Sequence, residues 1–144
     1  MIRVAIHTTS RFPCTRSILR ECVKQAFAKH DISSGEVSIS LVGTRKMTEL
    51  NEELMKHEGV TDVLSFPQFD PEQPDKHFPG LPSSQTAGSV KDAQNPTPLH
   101  HFGDIVVCYP VARTQAGKKG KMVDDQLCFL VDHGIQHLLG FHHD

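Results

Sequence analysis

Asp132-His133-Gly134-Ile135-Gln136-His137-Leu138-Leu139-Gly140-Phe141-His142-His143-Asp144 ends the 144-residue sequence, and the rest of the chain is read outward from it. His133 and His137 are four residues apart, which stacks them on one face of a helix. Leu127, Leu130, Val131, Ile135, Leu138 and Leu139 give that helix a buried side. Gly140 is placed to take the left-handed conformation that ends a helix and turns the chain. His143 follows three residues later, able to swing back toward the first two. Three converging imidazoles with no fourth protein ligand describe an open zinc site, whose coordination water completes. The expectation is a metal-dependent hydrolase with one Zn²⁺ per chain, held by His133, His137 and His143.

Ten histidines occur in the sequence, and chance spacings are to be expected among them. This pattern, however, fixes His, His, Gly and His together. The same order is used by the metzincin zinc proteases, with one difference. Those enzymes carry a glutamate directly after the first histidine as general base, and Gly134 stands there instead. Without that carboxylate a peptidase lacks its water-activating group, so peptide hydrolysis is disfavoured.

Composition sets the frame. The chain is long enough for one domain around one core. Its 38% hydrophobic and 22% charged residues suit a globular protein. No apolar run approaches a membrane span, and Met1-Ile2-Arg3-Val4-Ala5-Ile6-His7 does not resemble a signal peptide. Cys14, Cys22, Cys108 and Cys128 form no Cys-x-x-Cys pair, which favours reduced thiols in a cytoplasmic protein. A formal charge of −2 argues against a broad electrostatic coat on nucleic acid. Any such contact must come from a local patch.

Alternation at Ile2, Val4 and Ile6 predicts a strand, and helical spacing from Thr15 to Lys29 predicts a helix capped by Thr15. Val37, Ile39 and Leu41 mark a second strand. A helix follows with Thr44 as cap and Met47, Leu50 and Leu54 inward. Thr61–Pro67 reads as a third strand, and Gly103–Cys108 as a fourth, apolar enough to be central in the sheet. Between them, residues 67–98 hold seven of the nine prolines, and the stretch at about 68–100 reads as a flexible surface insertion. Tyr109-Pro110 ends the fourth strand, a helix begins at Val111, and Gly117–Lys121 is a basic, glycine-broken loop. Asp124 or Asp125 caps the last helix. The fold class expected is α+β: a small single domain over residues 1–144, with a mixed sheet of about four strands. The metal site lies on the C-terminal helix and the turn after it.

His133-Gly134-Ile135-Gln136-His137-Leu138-Leu139-Gly140-Phe141-His142-His143 resembles the signature of the YbeY family of bacterial endoribonucleases. Two further blocks are similar to that family in the same order. These are Asn51 with Thr61-Asp62-Val63-Leu64-Ser65-Phe66-Pro67, and Gly103-Asp104-Ile105 with Ala112-Arg113-Thr114-Gln115-Ala116. The resemblance implies a zinc-dependent, single-strand-specific ribonuclease acting in ribosomal RNA maturation and ribosome quality control. It names His133, His137 and His143 as metal ligands, and the ribosome or its proteins as partners. Family members often carry an arginine where this chain has Met55, so either the adjacent Lys56 is the replacement cation in catalysis or another basic residue supplies the charge. The aspartate usual before the third histidine is His142 here.

Other assignments follow from the residues. Ser65 and Thr61 lie in the matched motif, and the resemblance implies that they line a substrate groove, with local hydrogen bonding in the strand as the alternative. Arg45 and Arg113, with Lys46, Lys56, Lys118, Lys119 and Lys121, are the candidates for RNA backbone contact, each weighed against being part of a solvated basic face. Asp104 is a candidate hydrogen-bond partner for a ligand imidazole, or else a carboxylate capping backbone in a turn. His100 and His101 read as exposed loop histidines. With no Trp and one Tyr, recognition by base stacking looks weak, and strand accessibility is the more plausible determinant. A different metal-dependent hydrolase and a non-catalytic ribosome-associated module are the alternatives.

Overall fold

The computed structural model describes residues 1–67 and 100–140. The expected insertion lies outside the described residues apart from His100, and so do His142, His143 and Asp144. The element order is β1 (Ile2–His7), α1 (Arg16–Ala28), β2 (Gly35–Val42), α2 (Thr44–Leu54), β3 (Val63–Pro67), β4 (His101–Cys108), α3 (Tyr109–Lys119) and α4 (Val123–Leu138). The four strands form one sheet in the order β1-β2-β4-β3. β1 and β4 run parallel to β2, and β3 runs antiparallel to β4. This is the mixed α+β sheet expected, with β2 and β4 in the middle.

Strand alternation divides the core in two. Val37, Ile39, Leu41, Ile105 and Val107 point to the face covered by α1 and α4, where they join Leu19, Val23, Phe27, Leu127, Val131 and Ile135. Leu64, Val106 and Cys108 point to the other face, where α2 supplies Met47 and Leu50. Among the described residues the second cluster is much the smaller. α4 is therefore anchored along one whole side on the central strands, which leaves its opposite side to present functional groups.

Several local expectations are corrected. Leu54 is exposed, and its place on the inner face of α2 is taken by Asn51, which is buried. The reason is a hydrogen bond: Asn51 Nδ2 donates to the Gly59 carbonyl at 2.9 Å and so holds the loop after α2. Thr15 occupies the N-cap of α1 without capping it. Its hydroxyl and amide donate instead to Asp124 at 2.8 and 3.0 Å, so a carboxylate in the first turn of α4 ties the two helices together. Gly43, not Thr44, is the N-cap of α2, and Met122 is that of α4. α3 begins at Tyr109, because proline is well tolerated in a first helical turn, and runs on through Gly117 to end at left-handed Gly120. The basic loop therefore shrinks to its last residues. His101 is not a loop residue: it opens β4, with Nδ1 3.0 Å from Glu36 Oε1.

Candidate functional site

α4 packs closely enough on β3 and β4 to leave no room for a side chain at residue 134. A Cβ built on Gly134 would stand 2.9 Å from Ile105 Cγ2 and 3.1 Å from Ser65 Oγ. Ser65 Oγ donates to the Gly134 carbonyl at 3.0 Å and joins strand to helix at this point. The register carries both contacts, since Ser65 sits opposite Ile105 in the β3–β4 ladder. Position 134 thus faces the sheet, which gives the absent glutamate a steric explanation.

His133 and His137 flank this contact on the next stripe of the helix. Their ring centroids are 4.5 Å apart at an interplanar angle of 49°. Both are half-buried, and both line a cleft of about 480 Å³. β3 and the segment before it form its facing wall, with Thr61, Asp62 and Ser65. The loop pinned by Asn51 brings in Met55, His57 and Glu58. Helix α4 ends as the sequence predicts: Gly140, at φ +92°, leaves the helical conformation.

The donor set suits a divalent cation. Two imidazoles held side by side repel each other if both are protonated, whereas two neutral rings can each donate a nitrogen lone pair to one metal ion. Among the described residues no group of three or more His, Cys, Asp or Glu side chains forms a metal cage. Two of the expected ligands are therefore brought together, and the third, His143, lies outside the described residues.

The other expected site residues are scattered. Ser65 and Thr61 line the cleft. Lys56 does not: it adopts φ +60° and borders a neighbouring depression with Glu52, His57 and Glu58. Arg45 is exposed at the start of α2. Arg113 is exposed on α3, its guanidinium 5.8 Å from the Tyr109 ring. No lysine or arginine is among the described residues lining the cleft. Asp104 pairs with Ser38 and Phe66 on the sheet face opposite Ile105 and α4, which removes it as a partner for His133 or His137. Asp104 acts on His7 instead. Burial lowers the His7 pKa, and the charge of Asp104 partly restores it.

Sequence reasoning missed His57 and Glu58, the titratable groups of the loop wall. Their only signal is proximity to the Thr61–Pro67 block, since the loop conformation depends on the Asn51–Gly59 hydrogen bond. Asp62 is also on the cleft wall, where Gln115 Nε2 donates to its Oδ2 at 3.2 Å.

Replacing Ser65 by alanine is expected to destabilise the fold by about 1 kcal/mol, the usual net value of one hydrogen bond. That corresponds to a fall in Tm of about 2–4 °C, checked by thermal unfolding.

A family profile described as Endoribonuclease YbeY matches residues 5–144. The chain is 43% identical over 108 residues to the Endoribonuclease YbeY of Frankia casuarinae, covering 75% of this chain and 47% of that protein. It is 32% identical over 141 residues to that of Micrococcus luteus, covering 97% of this chain and 78% of that protein. Coverage of a second relative, from Paenarthrobacter aurescens, is 58%, so the chain spans about half the length of the curated relatives it matches first. The solution structure of TM1509 from Thermotoga maritima shares the fold, with a TM-score of 0.53 at 22% identity, covering 100% of this chain and 75% of that one. With its profile match spanning nearly the whole sequence, the chain belongs to the endoribonuclease YbeY family.

Proposed function

We propose that the chain is a zinc-dependent endoribonuclease that cuts single-stranded RNA, acting in the cytoplasm on ribosomal RNA during its maturation and in ribosome quality control. One observation carries the reading: His133 and His137 stand together on the wall of a cleft, in a chain of this family. With His143 they would hold one zinc ion per chain. When bound, zinc supplies Lewis-acid chemistry, polarising a phosphoryl oxygen and acidifying water.

The chain's own residues shape what happens around that centre. α4, fastened through Gly134 to Ser65 and Ile105, presents the two imidazoles at a constant separation. The loop held by Asn51 offers Glu58 and His57 as the groups able to accept a proton from an attacking hydroxyl. Met55 puts an apolar side chain in the cleft, and no lysine or arginine is among its described lining residues, so positive charge for the RNA backbone must come from outside that lining. A peptidase reading is disfavoured because position 134 has no space for a base.

The substrate class is tested with one RNA sequence offered as a single strand and as a perfect duplex. Cleavage of the single strand alone is expected. Equal cutting of both, or of neither, contradicts the reading.

A further inference from the structure

Lys119 and Lys121 converge on an aromatic ring that the molecule leaves in the open. Phe129, on the outer side of α4, is 53% exposed. Lys119 Nζ lies 4.7 Å from its ring centroid and Lys121 Nζ lies 5.1 Å from it. Lys118 is exposed beside Lys119 in the last turn of α3. Burial cannot account for an apolar ring in this setting. Two ammonium groups around one ring also repel each other, and an anion placed between them relieves that repulsion.

The position of the ring gives it meaning. Phe129, His133 and His137 follow one another at intervals of four residues, so they form a single stripe along α4. Phe129 stands one helical turn from His133, about 6 Å along the axis. One nucleotide of an extended strand spans that step.

A hydrogen-bonded chain joins the ring to the cleft. Lys121 Nζ donates to Gln126 Oε1 at 3.1 Å, and Gln126 Nε2 donates to Gln115 Oε1 at 2.8 Å. Gln115 in turn donates to Asp62 on the cleft wall. Gln126 is only 1% exposed, so this chain is a fixed part of the structure that orients Lys121.

We propose that Phe129, Lys119 and Lys121 form a binding subsite for single-stranded RNA next to the histidine pair. A base stacks on the Phe129 ring and the lysines take the flanking phosphates. The proposal rests on the ribonuclease reading above and supplies the positive charge that the cleft lining lacks. Stacking on a lone phenylalanine tolerates any base, which suits a subsite that selects unpaired strands rather than a sequence. The charges favour a polyanion over a protein partner. Asp125, exposed one turn before Phe129, is the acidic neighbour on this side of α4 and should oppose binding.

The test is fluorescence anisotropy of the full chain with a short labelled 2′-O-methyl RNA, which reads binding apart from cleavage by 2′-hydroxyl attack. Parallel cleavage assays use unmodified RNA. Phe129→Ala is expected to raise Kd about 5- to 150-fold, the range for loss of one stacked base. Phe129→Tyr should restore binding. Lys119→Ala and Lys121→Ala should each reduce the salt dependence of log K by about 0.7, whereas Phe129→Ala should leave that slope unchanged. Asp125→Asn should tighten binding. Because the ring is exposed, Phe129→Ala should also keep the parental Tm. If Phe129→Ala binds RNA within about twofold of a parent that itself binds and cuts, the subsite is overturned and the ribonuclease reading stands, with this face left to a protein partner. A parent that neither binds nor cuts RNA overturns both.

Discussion

His133→Ala and His137→Ala are each expected to lose RNA cleavage and bound zinc together, with activity falling by more than about 100-fold. Loss of a residue that only orients a metal ligand already costs roughly 10- to 100-fold in affinity or activity, and loss of a ligand itself must exceed that. The fold should survive. Both rings are half-buried on the cleft side of α4, whereas the helix is anchored through Leu127, Leu130, Val131 and Ile135. Zinc analysis by mass spectrometry, circular dichroism and a cleavage assay on the same preparations check the three parts. Full activity in a demonstrably zinc-free variant would contradict the assignment.

Gly134→Glu is expected to be the most disruptive single change near the site. The new side chain would start 2.9 Å from Ile105 Cγ2, against a residue that is itself fully buried. An unpaired carboxylate in such a place costs at least about 3 kcal/mol. For a chain of this size that lowers Tm by about 6–12 °C. Gly134→Ala separates the two contributions. Overpacking costs about 1–3 kcal/mol, and replacing a helical glycine returns about 1 kcal/mol. Steric cost should win, because Ile105 is branched at Cβ and held in the central strand. Neither variant should gain peptidase activity, since the added side chain faces the sheet and not the cleft. Thermal unfolding and a peptide-hydrolysis assay decide the matter.

Much of this was legible in the sequence where periodicity and burial agree. The four strands and four helices appear in the expected order because their apolar positions repeat at 2.0 or 3.6 residues and really are the buried ones. The His133–His137 pair was legible for the same reason, since helical spacing alone puts two side chains together. What could not be read depended on partners distant in sequence. Nothing local shows that Thr15 is bonded to Asp124, 109 positions away, in preference to capping its own helix. Asn51 turns inward because Gly59 offers a carbonyl, and this displaces Leu54 to the surface. The strand register, which puts Asp104 on the sheet face away from α4 and so from His133 and His137, is likewise set by partners distant in sequence. Lys56 is next in sequence to Met55, yet the described cleft lining takes in Met55 and His57 and not Lys56, which borders the neighbouring depression. The exposure of Phe129 beside Lys119 and Lys121 could not be read from composition, because a residue count does not say which aromatics reach the surface.

The central claim is that His133 and His137 serve a metal ion used to cut RNA. It is tested most directly by cleavage of a single-stranded RNA with the full chain before and after removal of zinc by chelation, and again after stoichiometric zinc is restored. Cleavage should disappear with the metal and return with it, and His137→Ala should stay inactive after the same zinc addition. Undiminished cleavage by zinc-free protein, or none by zinc-loaded protein, would contradict the account.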